Sequence, residues 1–245
     1  IVVNDCSGDR FDYADVLRPY HVHYIYNATR IGAAASKEKG VQHVVTPYFL
    51  LLDAHMRFYD TAWHRAITDE LSKNGHRLLC CQTIALVKED GVIRNHGEMG
   101  TFGAYLLFEH HEYIPGIRWN GRKDINGLGH HQIPAVMGAG YATSTTYWNH
   151  LRGYQGLVHY GCEEAYISTK AWLEGGGCYL LPDVKIGHIY REKMPYSFTH
   201  TRMIYNYLVI VDTLFPTNLR CLGHSVAMRK DRDRYDEAVK WMTCN

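Results

Sequence analysis

The sequence predicts an α/β domain with a doubly wound sheet, because short apolar strands alternate with segments of helical spacing along its 245 residues. The clearest strand is predicted over Tyr48–Leu52, an uninterrupted apolar run that stops abruptly before a polar segment. Runs of this kind are typical of strands buried on both faces of a sheet. A helix is predicted over 61–74, where Trp63, Ile67 and Leu71 fall on one side.

Similar patterns predict the remaining elements. Further strands are expected at 21–26, 78–87, 178–181 and 184–190, and helices at 32–40, 163–174 and 201–215. The range 136–144 is expected to return to the core. The opening Ile1-Val2-Val3 predicts a buried parallel strand, and 88–133 predicts a long excursion of loops or short strands over one face. Alternating charges at 229–234 indicate a solvated helix face. We assign 1–200 to one α/β domain and 201–245 to a helical C-terminal extension packed on it.

Composition excludes several classes of protein. Lys and Arg (26) nearly balance Asp and Glu (25), so no overall charge draws the chain to nucleic acid or to an anionic membrane. The seven cysteines lack CxxC spacing, which argues against a structural zinc site and favours a reducing, cytoplasmic environment. No apolar run approaches the ~18 residues of a membrane span. The chain starts with Ile1 rather than Met, so we expect that the natural N-terminus, with any targeting segment, is absent.

Two side chains that can bind metal follow the clearest strand. Asp53 and His55 lie just past its carboxyl end, and in open α/β sheets ligands bind outside those strand ends. A carboxylate and an imidazole two residues apart can both face one divalent cation. Taken alone, the Asp-x-His pattern also fits an aspartate that opens a turn beside an exposed histidine.

Several further motifs occur in a definite order. They are IVVNDCSGD, TRIGAAASKEKG, FLLLDAH, MGAGYATS, GYQGLVHYGCEEAYIS, GGGCYLLPDVKIGHIYR and KMPYSF. Together they resemble the motifs of GT-A type glycosyltransferases, and most closely those of the catalytic domain of polypeptide N-acetylgalactosaminyltransferases. The resemblance covers most of the chain in pieces. It implies a GT-A fold, in which a mixed sheet flanked by helices binds a nucleotide-sugar, and transfer of the sugar to a hydroxyl group.

The resemblance also implies a divalent metal, Mn²⁺, with Asp53, His55 and His188 as its ligands. Mixed carboxylate and imidazole ligands suit a first-row metal better than Mg²⁺ or Ca²⁺. Such an ion would bridge both phosphates of a UDP-sugar and neutralise the charge that grows as the diphosphate leaves. The alternative for His188 is an ordinary core histidine, which the surrounding GHIYR motif disfavours.

The resemblance assigns the remaining donor contacts to two groups of residues. Nucleotide contacts are expected from Asn4, Asp5, Arg30, Gly32, Lys37, Asp53, Arg191 and Tyr196, and the small residues Gly138, Ala139 and Gly140 are expected to let the sugar approach the backbone. Asp5 would accept from the base or ribose, and Tyr196 would lie on a loop over the donor. The arginines also fit surface roles, and the small residues fit simple packing. Asn4 and Met194 depart from the family pattern, so donor choice stays open.

Two adjacent carboxylates, Glu163 and Glu164, begin a predicted helix. They fit a favourable interaction with the helix dipole. The resemblance instead matches Glu163 to a residue that holds donor-sugar hydroxyls, and it places Glu164 where the retaining family has Asn. In inverting GT-A enzymes an acidic residue at that position is the general base. The sequence therefore leaves the stereochemical outcome open.

Two pieces of the family pattern are missing. The first GT-A strand with its helix does not precede the opening motif, and no lectin domain follows, so the acceptor need not be a mucin-like peptide. We expect transfer from UDP-GalNAc, UDP-glucose or UDP-galactose to a protein Ser/Thr, a glycan or a hydroxylated DNA base; nucleic acid is expected only as an acceptor. The alternatives are a nucleotidyltransferase or sugar-phosphate pyrophosphorylase, and an inactive module that binds a sugar nucleotide.

Overall fold

The computed structural model describes residues 1–9, 11–107, 115–121, 131–190 and 199–244. The strands are β1 (Val2–Asn4), β2 (Tyr24–Tyr26), β3 (Tyr48–Leu52), β4 (Met56–Phe58), β5 (Leu78–Glu89), β6 (Val92–Thr101), β7 (Ala104–Leu107), β8 (Gly116–Trp119), β9 (Gln132–Ile133), β10 (Gly140–Ser144) and β11 (Cys178–Ile189). The helices of these ranges are α1 (Tyr13–Leu17), α2 (Ala33–Val41), α3 (Trp63–Lys73), α4 (Thr145–Leu151), α5 (Glu163–Leu173), α6 (His200–Leu214), α7 (Thr217–Lys230) and α8 (Arg232–Cys244), with a 3₁₀ turn at Arg18–Tyr20.

A mixed sheet of seven strands forms the centre of the described structure. Strands β3, β10, β5, β11 and β4 lie in that order, while β6 also pairs with β5 and β9 with β11. Strand β11 runs parallel to β5, whereas β10 is antiparallel to β3 and β5, and β4 is antiparallel to β11. A mixed sheet flanked by helices confirms the predicted fold class.

Two apolar clusters pack against the sheet. In the smaller one, α3 contributes Ile67 and Leu71, which are almost fully buried, as its helical spacing predicts. The larger cluster joins Tyr141 of β10 and Trp148 of α4 to Ile204 and other inward residues of α6. The C-terminal helices thus share one hydrophobic core with the sheet, and a domain boundary at residue 200 stays a prediction. None of the described helices is long and apolar enough to span a membrane.

The first strand differs from the prediction in its burial. Strand β1 pairs in parallel with β2, but the two form a separate two-stranded sheet, and Ile1 and Val2 remain 51% and 38% exposed. The prediction of a buried strand is therefore wrong, because burial depends on neighbours that local sequence does not specify. Strand β3 lies at the edge of the large sheet rather than at its middle. Within the described ranges, no strand pairs with both β1 and β3. The absence of the first GT-A strand stays a prediction.

The excursion predicted over 88–133 consists largely of strands where it is described. Strands β5 and β6 form a long hairpin that turns at Asp90-Gly91, both of which have positive φ. Asp-Gly favours such turns because both of its residues tolerate positive φ. Strands β7 and β8 pair as a second antiparallel unit.

Candidate metal and nucleotide-sugar site

Asp53, His55 and His188 meet at one end of the large sheet. Asp53 directly follows β3, and its backbone N–H donates to the carbonyl of Ala139 at 3.1 Å. His55 directly precedes β4, which pairs with the part of β11 that contains His188. The backbone N–H of Ile189 donates to the carbonyl of His55 at 3.3 Å. Strand pairing thus brings together residues that are far apart in sequence.

The three side chains can face a single ion. Their ligand atoms all lie within 4.8 Å of one another. Oδ2 of Asp53 is 3.4 Å from Nε2 of His188, and the rings of His55 and His188 have centroids 4.6 Å apart. Burial raises the pKa of Asp53, but His188 and Lys37 together bring it below its usual value, so the carboxylate is ionised. One carboxylate and two imidazoles, all partly buried, form a donor set that fits a first-row divalent metal such as Mn²⁺.

Lys37, which projects from α2, lies beside this cluster. Its ammonium is 3.5 Å from Oδ1 of Asp53 and donates to the carbonyl of Gly138 at 3.4 Å. Burial lowers the pKa of Lys37, but the negative charges of Asp53, Glu163 and Glu164 raise it by more than burial lowers it. The pKa of Lys37 is therefore above its usual value. The site therefore contains a permanent cation next to its metal-binding carboxylate.

Glu163 and Glu164, at the start of α5, differ in their access to the site. Glu163 is buried, and its carboxylate accepts from the backbone N–H of Gly161 at 2.8 Å. Glu164 is partly exposed, and its carboxylate accepts from the backbone N–H of Gly138. A β-carbon at position 138 would overlap this carboxylate. Gly138 thus makes room for Glu164, which is the more accessible carboxylate of the pair.

Both of these glutamates have raised pKa values. Burial and then the adjacent charge of Glu164 raise the pKa of Glu163 to about 7, against the opposing effect of Lys37. Burial raises the pKa of Glu164 as well, again against Lys37. Strongly perturbed carboxyl groups are frequent at functional sites. When Asp53 and both glutamates are ionised, Lys37 balances one of three negative charges, and a divalent cation would supply the other two.

The rest of the predicted small-residue strand has a packing role in the structure. Ala139 is buried, and a β-carbon at Gly140 would overlap the side chain of Ile186 on β11. The need for glycine at 140 is thereby explained by the sheet itself. Of these three residues, Gly138 contacts the carboxylate of Glu164, and Ala139 contacts the backbone of Asp53. An approach of a sugar to these residues stays a prediction.

Asn4 and Asp5, the nucleotide contacts predicted in the first motif, lie at the end of β1, and Asp5 stabilises the loop that follows β2. The carboxylate of Asp5 accepts from the backbone N–H groups of Ile31 at 2.9 Å and Gly32 at 2.7 Å. Partial burial raises the pKa of Asp5, but its hydrogen bonds bring the pKa below its usual value. The amide of Asn4 donates to the hydroxyl of Tyr24 at 2.8 Å. Asn4 is thus held on β2 and Asp5 on the loop after it, and their contacts with a nucleotide stay predictions.

Arg30 and Gly32 lie in the same loop. Arg30 is exposed and donates to the carbonyl of Cys6 at 3.4 Å. Gly32 has a φ of 92°, and a β-carbon there would overlap the backbone of His159. Only glycine fits both conditions, so this position is explained by close backbone packing. Arg191, Met194 and Tyr196 lie outside the described residues.

One aromatic neighbour of the site was not predicted. The ring of Tyr190 lies edge-on to the ring of His188, with centroids 4.6 Å apart. The sequence contains a signal for this contact, because His188 and Tyr190 are two residues apart. In extended backbone, that spacing places two side chains on the same side.

Comparisons with known proteins agree with this fold. Residues 1–133 match the model of glycosyl transferase family 2, which is more than half of the chain, and the chain belongs to that family. It is 25% identical over 211 residues to polypeptide N-acetylgalactosaminyltransferase 11 of Xenopus tropicalis, covering 84% of this chain and 34% of that protein. It is also 25% identical over 202 residues to human polypeptide N-acetylgalactosaminyltransferase 16, covering 81% of this chain and 35% of that protein. The chain spans about a third of the length of these relatives, and the predicted resemblance is confirmed.

Solved structures support the same fold. The chain superimposes on the crystal structure of GalNAc-T7 with UDP, GalNAc and Mn²⁺ with a TM-score of 0.69 at 19% identity, covering 86% of this chain and 41% of that one. It superimposes on the mannosyltransferase PcManGT from Pyrobaculum calidifontis, in complex with GDP-Man and Mn²⁺, with a TM-score of 0.52 at 15% identity, covering 99% and 65%. At these identities the likeness concerns the fold, and it confirms the expected GT-A architecture.

Proposed function

We propose that this protein is a metal-dependent glycosyltransferase that moves a sugar from a UDP-sugar to a hydroxyl acceptor. The observation that carries the proposal is the cluster of Asp53, His55 and His188, whose ligand atoms lie within 4.8 Å of one another at the end of the sheet. Lys37 adds a fixed positive charge 3.5 Å from Asp53. Membership of glycosyl transferase family 2 supports the reaction class.

Asp53, His55 and His188 are the residues that would hold the metal. A bound Mn²⁺ would supply positive charge to offset that of the departing diphosphate. Lys37 would act on the same charge, because its ammonium is protonated and anchored by the carbonyl of Gly138. A charged donor in a partly buried site binds phosphate oxygens more strongly than a neutral donor does.

Glu164 is the residue best placed to take a proton from the acceptor. It is the partly exposed member of the carboxylate pair, and the backbone N–H of Gly138 orients its carboxylate. Burial raises its pKa, which brings the carboxylate nearer to the proton affinity that a general base needs at neutral pH. Glu163 lies deeper and fixes the turn at Gly161, and its predicted role toward the donor sugar remains part of the proposal.

For the donor we propose a UDP-sugar, with UDP-GalNAc as the first candidate. The relatives at 25% identity are N-acetylgalactosaminyltransferases, and one structural neighbour contains UDP and GalNAc. A second neighbour contains GDP-Man, so the fold alone does not select the base. UDP-glucose and UDP-galactose are the next candidates. The acceptor is a hydroxyl group on a protein, a glycan or a modified DNA base.

A donor-hydrolysis screen tests the proposal. The donors are UDP-GalNAc, UDP-glucose, UDP-galactose and GDP-mannose, each with Mn²⁺ and with EDTA. We expect turnover of a UDP-sugar that is lost in EDTA and in Asp53→Ala. Asp69→Ala removes an exposed carboxylate of α3 outside the site and serves as the matched control. Equal turnover in EDTA would refute metal dependence, and the absence of any turnover would favour an inactive binding module.

A further inference from the structure

Among the described residues, His188 has no hydrogen-bond partner for the second nitrogen of its ring. Metal-binding histidines generally donate their second ring N–H to a carboxylate, a carbonyl or water, which fixes the ring. The Nε2 of His188 faces Asp53, while its Nδ1 is buried and has no hydrogen-bond partner among the described residues. The orientation of this ring must therefore come mainly from packing.

Two aromatic rings pack against His188. One belongs to His55, itself a predicted ligand, with a centroid distance of 4.6 Å and an angle of 45° between the rings. The other belongs to Tyr190, at 4.6 Å and 76°, which is an edge-to-face contact. His188 lies in the last two residues of β11 and Tyr190 directly follows the strand, so a spacing of two residues brings both side chains to the same side.

Tyr190 is itself held in place from the other side of the site. Its hydroxyl lies 3.5 Å from Oγ1 of Thr101 and donates to the sulfur of Met137 at 3.7 Å. Thr101 ends β6 and donates to the same sulfur at 2.6 Å. The phenol therefore connects the end of β11 to β6 and to the segment that precedes Gly138. A ring tethered at its hydroxyl and packed by its edge or face has little freedom to turn.

We propose that Tyr190 is a positioning residue that fixes the ring of His188 by packing, since no described residue makes a hydrogen bond to its Nδ1. The inference rests on the proposed function, since it assumes that His188 binds the metal. Tyr190 does not supply a ligand atom in this role. Its ring limits the orientations of the imidazole, so that Nε2 stays directed toward Asp53.

Mn²⁺ affinity, measured by electron paramagnetic resonance of the free ion, tests the proposal without any sugar donor. We expect Tyr190→Leu and Tyr190→Ile to lower Mn²⁺ affinity roughly threefold to tenfold, which is about the effect of one aromatic pair. Tyr190→Phe loses the hydroxyl contacts but keeps the ring that packs against His188, so it should bind Mn²⁺ within about twofold of the parent. The absorption spectrum of bound Co²⁺ should change in the leucine and isoleucine variants and be restored in the phenylalanine variant.

Two controls separate this inference from the metal site itself. Tyr20→Leu changes a 74% exposed tyrosine of the 3₁₀ turn and should leave Mn²⁺ affinity unchanged. His188→Ala should abolish most Mn²⁺ binding. Unchanged affinity in both Tyr190→Leu and Tyr190→Ile, with loss in His188→Ala, would overturn the positioning role and leave the proposed function intact. Unchanged affinity in His188→Ala would instead overturn the metal site. Because Tyr190 is 38% exposed, we expect both ring-removing variants to fold, and circular dichroism verifies this.

Discussion

The ammonium of Lys37 lies 3.5 Å from one carboxylate oxygen of Asp53, and the other oxygen faces His188 at 3.4 Å. Asp53 therefore connects the fixed cation of α2 with the histidine of β11. These two partners offset the effect of burial and bring the pKa of Asp53 below its usual value. A carboxylate that is already ionised can bind a metal without first losing a proton.

The first prediction concerns the three proposed ligands. Asp53→Ala, His55→Ala and His188→Ala should each lower Mn²⁺ affinity by more than the ~10–100-fold that loss of an outer-sphere partner costs. Donor hydrolysis should fall in parallel, while circular dichroism remains that of the parent. His64→Ala changes an exposed histidine of α3 and is the control. Full activity in His188→Ala would remove that residue from the site.

The second prediction separates Lys37 from the metal. Lys37→Met should weaken UDP binding by about 10–100-fold, because a hydrogen bond to a charged group is worth roughly 1.5–3 kcal/mol. Binding of Mn²⁺ alone should be retained, since Lys37 repels the ion while it orients Asp53. Isothermal titration of UDP at saturating Mn²⁺ measures the first effect. Lys73→Met, an exposed change on α3, is the control, and an unchanged affinity for UDP in Lys37→Met would contradict the assignment.

The third prediction is that the binding of UDP depends on Mn²⁺. UDP should raise the melting temperature only when Mn²⁺ is present, because its phosphates otherwise face the Asp53 carboxylate and two glutamates. At 100 times the dissociation constant, a ligand adds about 2.7 kcal/mol of stability. Differential scanning fluorimetry with UDP and GDP, in Mn²⁺ and in EDTA, measures this. Equal stabilisation in EDTA, or a stronger effect of GDP, would count against the proposed donor.

Local sequence predicted those elements that carry their own signals. The bounds of β3, Tyr48–Leu52, match the prediction. The start of the apolar run marks the first residue of the strand, and Asp53 marks its end. Helix α5 begins at Glu163 as predicted, ahead of its Gly-rich stop. Helix α4 was missed although its signal is present: Ser144 precedes it and accepts from the backbone N–H of Tyr147 at 3.0 Å.

The assembly of the site depended on information that is not local. His188 reaches Asp53 because β4 pairs with β11 in one register, and no spacing in the sequence specifies that pairing. The resemblance to a known family supplied the three ligand residues, without the strand pairing that brings them together. The exposure of β1, and the burial of Nδ1 of His188 without a partner from the described ranges, are likewise tertiary properties. Patterns of residues along the chain do not predict either property.

The fourth prediction concerns pH. The pKa of Glu163 is about 7 in the folded protein and near 4.5 in an unfolded chain, so between these values the folded state binds more protons. In EDTA, stability should therefore fall as pH rises from about 4.5 to about 7, by at most roughly 3 kcal/mol from this group. Glu163→Gln should flatten this dependence, and urea unfolding at pH 5 and pH 8 measures it. Glu89→Gln, an exposed change, should keep the slope of the parent; an equal slope in Glu163→Gln would contradict the buried-acid assignment.

The last prediction concerns Glu164 and the chemical step. Glu164→Gln preserves the shape of the side chain and can still accept from the N–H of Gly138, but its amide cannot take a proton. UDP affinity should therefore persist while transfer falls by ~10²–10⁴-fold, the usual contribution of a general base. Glu163→Gln should also weaken donor-sugar binding, because its proposed role is to hold hydroxyl groups.

The configuration of the product gives an independent measurement of the same step. If Glu164 deprotonates the attacking hydroxyl, the transferred sugar should have inverted anomeric configuration, which NMR of the fresh product shows directly. A retained anomer together with near-parental activity in Glu164→Gln would refute the base assignment. That result would mean that a carboxylate at this position, beside Lys37 and Gly138, serves to balance charge in a retaining enzyme.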